Sequence, residues 1–80
     1  MNKILTDVAT EIQRAMRLHG SLASAHEAYA VLVEEMDEFW DEVKKRSEKR
    51  DKLAMRTELI QIAAMACRAI HDLGLPGSKP

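Results

Sequence analysis

The 80-residue sequence is poor in residues that interrupt helices, with three glycines and two prolines. It has no strand-type alternation, and its apolar residues instead recur at spacings of three and four. No apolar run approaches the ~20 residues that cross a bilayer. Because Asp7 and Glu11 interrupt the apolar pattern of the first residues, we expect no leader peptide.

Other scarcities exclude further classes of protein. A single cysteine, Cys67, rules out an intrachain disulfide framework and fits a reducing compartment. The formal net charge of −1 disfavours binding to nucleic acid. We therefore expect an all-α, cytoplasmic protein that associates neither with membranes nor with nucleic acid.

Three amphipathic segments predict helices at about residues 3–18, 25–46 and 51–73. Ser24 and Glu27 have the spacing of a capping box at the start of the second helix, and Gly74 is placed to end the third. Residues 1–74 would form one domain and residues 75–80 a disordered tail.

The connector between the second and third helices is short, which predicts that the two pack as an antiparallel hairpin. We expect Tyr29 and Trp40 of the second helix to be core residues, the alternative being that they stack on a nucleobase. Cys67 is expected to be buried. The inward face of the third helix is predicted to comprise Leu53, Leu59, Ile62, Ala63, Ala66, Ala69, Ile70 and Leu73.

The third helix also carries a second apolar strip, formed by Ile60, Ala64 and Cys67. A helix that is apolar on two sides needs two partners, and a chain of this length buries only a thin core alone. We therefore predict a homodimer, or a tetramer, in which a second copy completes a core of the four-helix-bundle type.

Residues 34–42 hold six acids in nine positions, and Glu34, Glu35, Glu38 and Glu42 share one ridge of the predicted helix. Like charges at this spacing repel one another unless a cation lies between them. On composition alone a solvated acidic face is the simpler interpretation.

The third helix adds Glu58 and Gln61, three residues apart. If the two helices are antiparallel neighbours, Glu35, Glu38 and Glu58 can converge. Three carboxylates from two rigid helices suit Mg²⁺ or Mn²⁺. Because Mg²⁺ commonly completes its coordination with phosphate oxygens, this pattern indicates phosphate chemistry.

The pattern E-E-x-x-E at Glu34, Glu35 and Glu38, followed after nineteen residues by E-x-x-Q at Glu58 and Gln61, resembles the MazG-like all-α nucleoside triphosphate pyrophosphohydrolases, which are related to the dimeric dUTPases. The resemblance covers about residues 24–73. It implies a Mg²⁺-dependent hydrolase that converts a nucleoside triphosphate to monophosphate and pyrophosphate.

The resemblance also implies roles for individual residues. Glu35, Glu38 and Glu58 would be metal ligands, with Glu38 part of the catalytic machinery. Glu34 would be a ligand or would hold and activate the attacking water. Gln61 stands where the family has Asp; its amide oxygen can coordinate Mg²⁺ but brings no charge and cannot act as a base.

Phosphate charge would be neutralised by cationic side chains, for which Arg68 and Lys45 are the candidates. The alternative interpretation is that both are ordinary surface cations. An alternative function is a catalytically inactive oligomerisation or metal-binding module of the same fold. A helix-turn-helix DNA reader is disfavoured, because its recognition helix would direct the acidic run of residues 34–42 towards phosphates.

Overall fold

A computed structural model describes residues 1–77 and contains three α-helices. Helix α1 spans Asn2–Leu18, α2 spans Ala25–Val43 and α3 spans Lys52–Asp72, with a short 3₁₀ turn at Ser47–Lys49. No strand is present in this stretch, which confirms the all-α prediction. Within the same residues, no helix combines the length and apolar character needed to span a membrane.

Side-chain caps fix the first turns of α2 and α3. The Ser24 hydroxyl accepts the Glu27 N–H at 3.1 Å, and the Glu27 carboxylate accepts the Ala23 N–H at 2.9 Å. The Asp51 carboxylate accepts the N–H groups of Leu53 and Ala54 at 3.0 and 3.1 Å. These bonds satisfy donors that have no partner inside a helix.

Gly74 ends α3, as its position in the sequence predicts. Its φ of 64° lies in the left-handed region, where glycine has no steric penalty. The Leu75 N–H donates to the Ile70 carbonyl at 3.0 Å and the Gly74 N–H to the His71 carbonyl at 3.2 Å. This pair of bonds is a Schellman motif. The expected disordered tail falls partly on residues 78–80, which lie outside the described residues.

Helix α2 stops at Val43, three residues before the predicted end. The guanidinium of Arg50 donates two hydrogen bonds to the Val43 carbonyl, at 3.0 and 2.7 Å. The Glu42 carboxylate accepts the Asp51 N–H at 2.5 Å and pairs with Lys45 at 3.0 Å. Connector side chains therefore bind the last turn of α2, and the chain turns towards α3.

Helix α3 packs against both other helices. Its buried residues are Ala64, Met65, Arg68 and Ala69. The core around them combines Leu22 and Ala28 with Met65 and Ala69, and the half-buried Val31, Leu32 and Leu73 cover it. The core is thin, because its residues are mostly small.

The predicted inward face of α3 is correct for Ala69, which is buried, and for the half-buried Ile62, Ala63 and Leu73, but it is wrong for the other four residues in a single chain. Leu53 is 72% exposed, and Leu59, Ala66 and Ile70 are also exposed. Ala64, which the sequence placed on the second strip, is instead 2% exposed. The reason is that α3 is apolar around most of its circumference, so periodicity does not identify the side that its partners cover.

Four exposed apolar side chains of α2, Tyr29, Val33, Met36 and Trp40, form a stripe that we name the open apolar face. Tyr29 is 71% and Trp40 57% exposed, so their prediction as core residues is wrong for a single chain. Cys67 is exposed as well, contrary to the expectation of burial. A single chain thus leaves an unusual amount of large apolar surface uncovered.

Candidate metal-binding site

Three carboxylates meet where the middle of α2 faces α3. Glu35 and Glu38 come from α2 and Glu58 comes from α3, and each offers an oxygen that lies within 4.8 Å of the other two. Glu35 and Glu38 are adjacent on their helix because residues three apart share a face. We name this group the carboxylate trio.

Two oxygen atoms of the trio have no hydrogen-bond donor. Glu35 Oε2 and Glu58 Oε2 are both inaccessible to solvent, and neither has a partner among residues 1–77. A buried acceptor without a donor is costly, and most buried polar atoms in proteins are paired. These oxygen atoms therefore favour either a proton shared within the trio or a bound cation.

Two carboxyl groups of the trio also have raised pKa values. Burial, together with the nearby Glu38 and Glu35 carboxylates, raises the pKa of Glu58 to about 7. Burial raises the pKa of Glu35 too, and the charges of Glu38, Glu11 and Glu34 add to the effect. Loss of solvation and repulsion between like charges both oppose ionisation, so the group favours a bound proton or another cation.

The donor set fits a hard divalent cation. Carboxylate oxygens are the ligands that Mg²⁺ and Mn²⁺ prefer, and three of them leave positions for water or phosphate oxygens. A divalent charge at this point would reverse the repulsion and give the two unpartnered oxygens a ligand bond.

The remaining predicted ligands lie at the edge of the trio. Glu34 is exposed and does not belong to the group of three, although its charge acts on Glu35. Gln61 is half-buried, one turn beyond Glu58, and faces the cleft described next. Their roles in catalysis and coordination stay predictions.

A cleft of about 380 Å³ adjoins the trio through Glu35, and Gln61 also lines it. Its volume lies within the range of small-molecule sites in proteins. All three helices and the loop between α1 and α2 contribute to its wall, which includes Glu11, Arg14, His19, Gly20, Glu27 and Arg68.

Arg68 lies on the wall of this cleft and is 7% exposed. Its Nη2 donates to the Gly20 carbonyl at 3.1 Å and lies 3.8 Å from the Asp72 carboxylate. Its Nε is buried without a partner among the described residues. Asp72 in turn accepts the Leu22 N–H at 3.0 Å. Arg68 therefore fastens the α1–α2 loop to α3 and keeps one donor unpaired.

Lys45 lies elsewhere. Its ammonium contacts both Glu42 oxygens, at 3.0 and 3.1 Å, beside the connector, and it does not line the cleft. The structure thus does not bring the two predicted phosphate-binding cations together. Glu42, which shares a predicted ridge with Glu35 and Glu38, instead binds the connector.

Sequence reasoning missed the contribution of α1. Glu11 and Arg14 lie on the cleft wall and form an ion pair, with contacts of 2.8 and 2.6 Å. Their spacing of three was visible in the sequence, but an acid and a base at that spacing are common on solvated helices. No local signal showed that this face of α1 borders α3.

Comparisons with known proteins add no relative. No family model, no curated protein and no solved structure matches the chain.

Proposed function

We propose that the protein is a Mg²⁺-dependent nucleotide pyrophosphohydrolase, in which water cleaves a nucleoside triphosphate between its α- and β-phosphates. The carboxylate trio carries the proposal, because its two buried oxygens without donors lie beside a cleft of ligand size. The E-x-x-E and E-x-x-Q spacing supplies the reaction class through its resemblance to the MazG-like family.

Glu35, Glu38 and Glu58 would hold the metal, with Mn²⁺ as an alternative ion and the Gln61 amide oxygen as an added ligand. When bound, the ion supplies charge neutralisation at the phosphates and a more acidic water. Glu34 is exposed beside Glu35, where its carboxylate can accept a proton from a water molecule. Because Gln61 is neutral, the trio supplies all the ligand charge in this assignment.

Phosphate binding is assigned to Arg68, whose buried guanidinium lines the cleft and retains an unpaired N–H. Hydrogen bonds from a fixed guanidinium to a phosphate are strong because both groups are charged. Lys45 would have to leave the Glu42 carboxylate to take part, so its position supports a role in the connector.

The proposal includes a homodimer or tetramer built on an antiparallel α2–α3 hairpin. Contacts at both ends favour this topology: Asp51 at the start of α3 binds Glu42, and Asp72 at its end binds Leu22 before α2. The open apolar face then gives a second copy a surface to cover. Sedimentation of a Met36→Glu variant is expected to show the 9.0 kDa monomer, and the unchanged protein a larger species.

Release of pyrophosphate from a panel of nucleotides with Mg²⁺ tests the reaction. We expect activity in the unchanged protein and a loss of about 100-fold or more in Glu38→Gln and Glu58→Gln, since each removes a ligand charge. Asp37→Asn is the matched control, because Asp37 is an exposed acid of α2 outside the trio.

Full turnover in Glu58→Gln would remove the trio from the reaction. If no nucleotide is hydrolysed but Mg²⁺ still raises the unfolding temperature through the trio, the protein is the inactive metal-binding module instead. Absence of both effects would leave an oligomerisation module.

A further inference from the structure

Arg14 is the second arginine of the cleft wall and differs from Arg68 in its surroundings. Its side chain is 46% exposed, whereas that of Arg68 is 8% exposed. Its Nε and Nη2 both donate to the Glu11 carboxylate, at 2.8 and 2.6 Å. Both partners lie on the same cleft wall as Glu35 and Gln61.

We propose that Arg14 is a phosphate-binding residue of the cleft and that Glu11 holds its guanidinium until a ligand phosphate replaces the carboxylate. The inference deepens the proposed function and rests on it, since it takes the ligand to be a polyphosphate bound to the trio through a metal ion. It assigns α1 a direct part in binding, although neither predicted cation lies on that helix.

The geometry of the ion pair suits such an exchange. Two parallel N–H···O bonds from Arg14 to Glu11 present the guanidinium in the fork arrangement that phosphate oxygens also accept. A phosphate can therefore replace the carboxylate without a change in the number of bonds. A lysine at the same position would offer a point charge and no fork.

The exchange is also energetically accessible. The ion pair is partly exposed, at 46% for the Arg14 side chain and 18% for that of Glu11. A pair between residues three apart at a helix surface stabilises a protein only weakly, so the loss is modest when Arg14 leaves Glu11. A polyphosphate carries more charge than one carboxylate and would already be fixed by the metal. By contrast, Arg68 is buried and bound to Gly20, so it cannot move towards a ligand without releasing the α1–α2 loop.

The opposite roles of the two partners give opposite expected effects. Titration calorimetry with Mg²⁺ and inorganic pyrophosphate is the measurement. Arg14→Gln is expected to weaken binding about tenfold or more, because a charged bidentate contact is lost. Glu11→Gln is expected to tighten binding about two- to threefold, because the competing carboxylate is removed. The double variant should bind like Arg14→Gln alone.

Arg17→Gln is the matched control, since Arg17 is exposed on the same helix and does not line the cleft. Arg14→Lys should fall between Arg14→Gln and the unchanged protein. A higher affinity for pyrophosphate in Glu11→Gln cannot arise from poor folding. This measurement therefore stays informative even if Arg14→Gln is unstable.

Equal affinity in Arg14→Gln and Arg17→Gln would overturn the inference, as would the absence of pyrophosphate binding to the unchanged protein. If Arg14 proves irrelevant while Glu58→Gln still abolishes pyrophosphate release, only the inference fails. If binding depends on Arg14 but no nucleotide is hydrolysed, the inference stands and the proposed reaction fails.

Discussion

Helix α2 holds carboxylates in two opposite environments. Near its end, Glu42 accepts the Asp51 N–H and pairs with Lys45, and these two partners hold the pKa of Glu42 below its usual value. Two turns earlier, the half-buried Glu35 has an oxygen without a donor and lies near Glu58 and the exposed Glu38. Partial burial and the neighbouring negative charges raise the pKa of Glu35.

The difference separates an acid that serves the fold from acids that do not. Glu42 links the last turn of α2 to the start of α3 and is stable in its ionised form. The trio weakens the fold of the protein alone, because its charges repel and two of its oxygens are unpaired. Perturbed carboxylates beside a cleft are typical of functional sites.

The most direct test of this contrast between Glu42 and the trio is to neutralise one acid of each kind. At pH 8 without divalent cations, Glu58→Gln is expected to raise the unfolding temperature by about 5 °C, since it removes a repelling charge and adds an N–H donor. Glu42→Gln should lower it, because the Lys45 ion pair is lost. Thermal unfolding followed by circular dichroism measures both, with Asp37→Asn as control; shifts of the same sign would contradict the contrast.

Mg²⁺ should affect the two regions differently. A cation that binds only the folded state stabilises it, by about 2.7 kcal/mol at a hundred times its dissociation constant. We expect Mg²⁺ to raise the unfolding temperature of the unchanged protein and of Glu42→Gln, but not of Glu58→Gln. The rise should be larger at pH 8 than at pH 5.5, because protons compete with the metal for the trio. An equal rise at both pH values would argue against binding at Glu58.

The pH dependence of stability isolates Glu58 without any metal. The pKa of its carboxyl is about 7, against 4.5 as the ordinary value. Between these pH values, Glu58 binds more protons in the folded protein than in the unfolded chain. The contribution of Glu58 therefore lowers the free energy of unfolding as the pH rises through this window. Below the window both states are protonated, and above it the loss is complete.

Urea unfolding in the presence of a chelator measures this effect. Between pH 5 and pH 8, the free energy of unfolding should fall less for Glu58→Gln than for the unchanged protein. The difference between the two proteins is decisive, because it cancels the titration of acids with lowered pKa values, such as Asp7 and Asp72. An identical change in the free energy of unfolding in the two proteins would show that the pKa of Glu58 is not raised.

The smallest expected effects belong to the two helix caps. Ser24→Ala and Asp51→Ala should each lower the free energy of unfolding by about 1 kcal/mol, the usual value for a lost N-cap. Asp51→Ala keeps the backbone N–H that Glu42 accepts, so comparison with Glu42→Gln separates the cap from the connector contact. Urea unfolding at pH 7 measures these changes, and a larger loss in Asp51→Ala than in Glu42→Gln would make the cap the dominant contact.

Features determined by local chemistry were predictable from the sequence. Ser24 begins α2 and Gly74 ends α3 because each acts on backbone groups within a few residues. Spacing also led to the expectation that Glu35, Glu38 and Glu58 face one another, since it needs only two helix faces and their contact.

Features that depend on distant partners were not predictable. Helix α2 ends at Val43 because Arg50, seven residues later, binds its carbonyl. The exposed side of α3, with Leu53 and Ile70, is decided by where α1 and α2 pack. The place of Arg14 on the cleft wall likewise depends on the docking of α1, of which its own sequence gives no sign.

The bonds from Asp72 to Leu22 and from Arg68 to Gly20 join segments about fifty positions apart in the chain. During synthesis, the α1–α2 loop leaves the ribosome long before the last turn of α3 does. The cleft wall beside Glu35 can therefore take its shape only after residue 72 has emerged from the exit tunnel. In a shorter nascent chain, α2 and part of α3 are already present, but the ligand cleft is incomplete.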